Sequence, residues 1–185
     1  LIRIPEPTKP ILGGVLLGLL GIASYQIDGF PRVFGVGYET IESTLFSQLT
    51  LQVTLGLLFL KLIATTLTLG SGGSGGIFAP SLFMGAMLGA SFGQIAHTLF
   101  PGIVSPSGAY ALVGMAAFFS GAAHAPITAI LILYEMTGDY QIILPLMLAT
   151  VLSTIVSRNI SHDSIYTLKL KRRGVELSED TQAID

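Results

Sequence analysis

The groups in this chain best placed to do chemistry are backbone amides. Gly70-Ser71-Gly72-Gly73-Ser74-Gly75-Gly76 separates two long apolar stretches and runs directly into Ile77-Phe78-Ala79-Pro80. The first turn of a helix presents N–H groups without intrahelical acceptors and a partial positive charge, and neighbouring glycines let an ion come close to the backbone. Pro80 suits the first turn of a helix that begins here. Such a site holds a small anion without a full cationic charge, by binding that offsets dehydration yet stays weak enough for release.

Two other readings compete for the same residues. Gly70, Gly72 and Gly75 match the spacing of a dinucleotide-binding fingerprint. That motif needs a short strand before it and an acidic residue about twenty positions later. Here the preceding apolar run is too long, and the next acid is Glu135. A phosphate loop lacks its Lys-Ser/Thr ending. The heptad alone is also compatible with a flexible Gly/Ser linker in a structural or interaction segment. Its context speaks for the anion site: a linker between membrane segments usually lies in water, whereas Ile77 and Phe78 follow at once.

The elements that must position these amides are membrane helices. Of 185 residues 51% are hydrophobic and 11% charged, against about 25% charged in soluble domains. Between Glu42 and Glu135 the one formally charged side chain is Lys61, accompanied by His97 and His124. A net charge of -2 without a basic patch excludes nucleic acid as a partner class, and the absence of cysteine excludes disulfides and thiolate metal sites. The chain opens on Leu1 without a secretory leader, and reads as a piece of something longer.

Pro10 to Ile27 is a Gly-spaced apolar run near the lower limit for a span, and Leu49 to Leu69 is long enough to cross. Between them lie a polar turn-rich stretch, residues 28–39, and a short amphipathic helix at Thr40 to Phe46. Ile77 to Phe100 carries Gly85, Gly89 and Gly93 on one helical face, a pattern that admits a close-packed neighbour. Gly121, His124 and Pro126 divide the apolar stretch Gly108 to Tyr134 into two half-length helices. Ile142 to Val156 is a last short helix with Pro145 in its first turn. The basic run Lys169 to Arg173 beside it argues for a cytoplasmic C-terminus. Residues 174–185 read as a tail or linker.

A charge inside a membrane span marks a functional site by default. For Lys61 the plainer reading is preferred, a pairing or snorkelling lysine that reaches an interface or a segment outside this chain. His97 and His124 read as packing or interface residues, since no carboxylate or cysteine stands at ligand spacing and no metal site is expected.

Gly-Ser-Gly-Gly-Ser-Gly-Gly-Ile-Phe-Ala-Pro (70–80), Ala-Pro-Ile-Thr-Ala-Ile-Leu (125–131), Glu-Met-Thr-Gly-Asp-Tyr (135–140) and Ile-Leu-Pro-Leu-Met (143–147) resemble, in order and spacing, the CLC chloride channels and chloride/proton antiporters. The resemblance covers residues 10 to 173 and corresponds to the second half of that family's membrane domain. It implies an all-α integral membrane fold of broken, tilted helices, the second half of an inverted repeat, in residues 1–173. It implies a chloride site made by Gly76, Ile77, Phe78 and Ala79, supported by Gly75 and Pro80, and completed by the hydroxyl of Tyr166. Read by itself, Tyr166 is an aromatic of the interfacial belt. A tyrosine there favours chloride over the fluoride-type relatives. Glu135 corresponds to a structural position away from the ion path.

The family's Gly-Ser-Gly-Ile-Pro serine and its gating glutamate have no counterpart between Leu1 and Asp185, which speaks against autonomous transport by this stretch. The expectation is therefore a multi-pass membrane protein that is no enzyme and needs no cofactor, contributing half of a chloride pathway and partnered by lipid and a preceding N-terminal half. A homodimer contact is expected around Ala125–Glu135 and Ile142–Val156, whose Ile/Leu faces suit lipid equally well. Channel and proton-coupled exchange both remain open.

Overall fold

A computed structural model describes residues 8–73 and 75–171. The elements are α1 (Thr8–Asp28), α2 (Tyr38–Leu45), α3 (Leu51–Gly70), α4 (Phe78–Leu99), α5 (Ser107–Ala123), α6 (Pro126–Thr137), one 3-10 turn (Tyr140–Ile142), α7 (Ile143–Ile160) and α8 (Ile165–Lys171). Among the described residues there is no strand. Four stretches, Thr8–Ile27, Leu51–Gly70, Phe78–Leu99 and Tyr140–Leu168, are long and apolar enough to cross a bilayer. Segments 1–7 and 172–185, with Ser74, lie outside the description, so Arg172, Arg173 and the tail expected at 174–185 do too.

The fold is arranged around α4. Leu82, Phe83, Ala86, Met87 and Ala90 of this helix join Leu57 of α3, Met115 and Phe119 of α5, Leu133 of α6 and Leu146 of α7 in one core. The glycine face of α4 meets α5 running antiparallel: Gly85 lies against Gly114 and Met115, Gly89 against Tyr110, and Gly93 against Ser107 and Tyr110. A side chain at Gly89 would occupy the place of the Tyr110 backbone carbonyl. Close backbone approach is the principal source of attraction between helices in lipid, where apolar side chains gain little by leaving one apolar medium for another.

The expected break after Gly121 is present. His124 caps α5 in the left-handed conformation at φ 57, and Pro126 is the first residue of α6, where its missing N–H costs nothing. α7 then runs beside α5 in the same direction, joined by side-chain hydroxyls. Ser153 donates to the Ala117 carbonyl at 2.7 Å and Ser157 to that of Gly121 at 2.6 Å. Ser120 and Thr154 are 2.6 Å apart, both buried. The sequence reading ended this helix at Val156, but it continues to Ile160. Ser157 sustains the extra turn by bonding across to α5, so a residue that looks like a polar terminus is an interior contact.

Substituting Gly89 by Ala in the full-length protein is expected to destabilise it by roughly 1 to 3 kcal/mol, because the methyl group must displace main chain. Gly14→Ala has open space around the new carbon and should be neutral or slightly stabilising. Thermal unfolding in detergent, with both variants side by side, checks the contrast.

Candidate functional site

The glycine run is two structures joined end to end. Its upstream half closes α3. Gly72, at φ 84, adopts the left-handed conformation that glycine enters without strain. The N–H of Gly73 then reaches back to the Thr68 carbonyl at 2.9 Å, and that of Gly72 to Leu69 at 3.3 Å. This pair of bonds is the Schellman ending of a helix. Ser71 adds its own N–H to Leu67 and its hydroxyl to Thr68. The carbonyls of Leu67, Thr68 and Leu69 are thereby satisfied inside the chain. A freely flexible linker would make none of these bonds, and a nucleotide fingerprint needs a strand where α3 stands.

The downstream half opens α4. Ile77 is the N-cap and Phe78 the first helical residue, and no side-chain oxygen caps them. Ser81, whose hydroxyl is the first in α4, turns it onto the Ile77 carbonyl at 2.8 Å, leaving the amides of the first turn alone. Those of Phe78 and Ala79 have no intrahelical acceptor, as at any helix start. Gly76 is exposed with no atom within 4 Å of the position its Cβ would take, so a small ion has room beside the backbone. Gly75 is held by packing, since a Cβ there would stand 3.2 Å from the Thr68 methyl. Phe78 is half-buried and sets its ring edge-on to Phe119 of α5, with centroids 5.0 Å apart. That contact fixes the start of α4 against the last turns of α5.

Gly75, Gly76, Ala79 and Pro80 border a cavity of about 440 Å³ that reaches Ala64, Thr68 and Leu69 of α3 and the loop 33–36. Lys61 lies in its wall, 3% exposed. Its ammonium pairs inside this chain, donating to the carbonyls of Val33 at 3.0 Å and Gly35 at 2.8 Å. The pairing half of the sequence reading holds, with partners inside this chain instead of an interface or a segment outside it. The polar stretch before α2 bends back over α3 and supplies the acceptors.

Tyr166 is the second residue of α8, 45% exposed. Its hydroxyl makes no hydrogen bond among the described residues. Gly75 through Pro80 thus form one continuous strip, and Tyr166 is linked to it through α5, on which both α8 and Phe78 rest. His124 places Nε2 3.2 Å from the Ser157 hydroxyl, in the seam between α5 and α7. His97 and Glu135 are exposed at the far ends of α4 and α6. Lys171, the last residue of α8, pairs with Asp163 just before that helix at 3.0 Å.

Sequence reasoning missed the Schellman ending and the lysine clamp. For the first, the signal was Gly72-Gly73 directly after an apolar helix. For the second it was a lone charge in one segment opposite Gly35 and Gly37 in another, which single-sequence reading does not bring together.

Known proteins resemble this chain in sequence and in fold. The family described as voltage gated chloride channel matches residues 1–158. A voltage-gated ClC-type chloride channel, ClcB, of Escherichia coli is 35% identical over 165 residues, covering 89% of this chain and 38% of that protein. A ClcB-like protein of Ralstonia nicotianae is 37% identical over 170 residues, covering 92% of this chain and 38% of its own length. The crystal structure of a slow cyanobacterial Cl-/H+ antiporter is similar in fold, with a TM-score of 0.67 at 24% identity over 92% of this chain and 48% of that one. This chain therefore spans well under two thirds of the proteins it matches. An all-α membrane fold of the CLC type, and a profile match over most of the sequence, place the chain in the voltage-gated chloride channel family.

Proposed function

We propose that the whole protein carries chloride across a membrane and that this chain supplies half of the path. The observation that carries the reading is an asymmetry at the break between α3 and α4. The carbonyls of Leu69 and Thr68 near the end of α3 are satisfied by Gly72 and Gly73, while the amides that begin α4 are uncapped beside a cavity that Gly76, Ala79 and Pro80 line. What is left unpaired is a set of donors, and donors at the positive end of a helix select an anion. In this reading Gly76, Ile77, Phe78 and Ala79 hold the ion through the backbone, Gly75 and Pro80 set the approach, and Tyr166 donates its hydroxyl. The remaining ligands, with the groups that decide between a channel and proton-coupled exchange, belong to a preceding half of the membrane domain.

The same reading makes the protein a carrier of ions and no enzyme, with chloride as cargo and no cofactor. It puts the C-terminus in the cytoplasm. It also pairs two subunits through α6 and α7, whose Ile127, Leu131, Leu144, Leu148 and Leu152 present an uncharged, exposed face. A monomeric mass in mild detergent would count against the pairing.

Two substitutions in the full-length protein test the ligands. Phe78→Pro keeps a residue the first helical turn accepts and deletes one N–H. A hydrogen bond to a charged group is worth about 1.5 to 3 kcal/mol, so chloride affinity should fall roughly tenfold or more. Unchanged chloride binding by calorimetry and unchanged chloride flux in proteoliposomes would refute the backbone site. Tyr166→Phe removes a hydroxyl that bonds to no described residue, so the melting temperature should stay constant while chloride binding weakens by about tenfold. A fall in melting temperature with intact binding would make Tyr166 a structural aromatic.

A further inference from the structure

Lys61 lies within a bilayer-length helix and is held there by dipoles of its own chain. Besides the carbonyls of Val33 and Gly35, its Nζ stands 4.8 Å over the centre of the Phe83 ring, in the core face of α4. Two carbonyl oxygens accept from the amine and an aromatic face lies beside it. The two carbonyls converge because the loop curls through Gly35 at φ 65 and Gly37 at φ 82. Gly37 sits so close to Phe83 that a Cβ would come within 2.5 Å of the ring. Loop, lysine and ring are thus one assembly, and every partner of the ammonium is a dipole or a π face. No carboxylate among the described residues cancels its charge.

That charge and the start of α4 share a cavity. Lys61 and Val33 to Val36 form part of its wall, and Gly75, Gly76, Ala79 and Pro80 form another. We propose that Lys61 is a positioning residue of the anion path, pinning the Val33–Gly35 segment as a wall of this cavity and lending the α4 N-terminus a positive potential that its own dipole does not supply. The proposal rests on the anion reading given above and extends it to a group that touches no ion. A unit charge acting over roughly 10 to 15 Å at an effective dielectric near 20 changes the affinity for a monovalent anion by about tenfold. The helix end carries about half a unit charge close to the ion, and the lysine adds a second, more distant source of positive potential at this cavity.

The test uses the full-length protein with three substitutions. Lys61→Gln keeps amide donors for the two carbonyls and removes the charge, Lys61→Arg keeps the charge, and Lys61→Met removes both. Chloride affinity by calorimetry and the chloride concentration giving half-maximal flux are measured on protein isolated as a single folded species, with thermal unfolding recorded in parallel. Lys61→Gln should bind chloride about tenfold more weakly, with the half-saturating concentration rising in step, and Lys61→Arg should recover most of the loss. Wild-type affinity in Lys61→Gln, or in whatever fraction of Lys61→Met folds, would reduce Lys61 to a clamp and overturn the proposal, even if unfolding shifted to lower temperature. A wild-type protein that neither binds nor moves chloride would refute the proposed function itself, whereas wild-type transport with an indifferent Lys61→Gln would refute this inference alone.

Discussion

The structure depends on one constraint, the need to satisfy backbone N–H and C=O groups where no water can do so. Interrupting a membrane helix exposes several such groups at each new end, and the cost falls on whichever is left unpaired. Between α3 and α4 the chain resolves this unevenly. The Thr68 and Leu69 acceptors are closed by two glycine amides, and the first-turn donors of α4 are left uncapped beside a cavity lined by Gly76, Ala79 and Pro80. Between α5 and α6 the same constraint has a different answer, in which a left-handed His124 turns the chain and a proline removes one donor outright. Two breaks in one chain therefore close the ends of their preceding helices differently, while neither following helix has a side-chain cap.

Packing around the first break is governed by small residues. α4 is the most enclosed of the candidate spans, with 61% of its apolar window buried against 17 to 22% for the others. It reaches that position because Gly85, Gly89 and Gly93 let α5 rest on its backbone. Phe78 and Phe119 then meet at the end where the cavity lies. The helix whose first-turn amides are uncapped is thus also the most enclosed one, which suits the proposed backbone site, since amides cannot change rotamer to follow an ion.

Much of this was legible in the residue order. The glycine stripe, the two half-helices and the helix start at Phe78 follow from local patterning, and a distinctive Gly-Ile-Phe-Ala-Pro element pointed to the family. Less legible were contacts between distant segments. Lys61 reads as an isolated charge until the loop before α2 folds back upon it, because its acceptors are main-chain carbonyls and carry no residue signature. Ser153 and Ser157 look like the polar fringe of a helix end until their partners on α5 are known. Tyr166 is a third case, where motif and geometry speak to different things: the family pattern singles out the residue, and the described contacts tie its helix to α5.

The hydroxyl seam between α5 and α7 has a mechanical consequence. Ser153 and Ser157 bond to carbonyls spaced one helical turn apart, at Ala117 and Gly121, with Ser120 and Thr154 interlocked between them. Sliding one helix along the other would sever all of these together, in a medium that offers no replacement partners. α5 and α7 therefore behave as a single stiff beam.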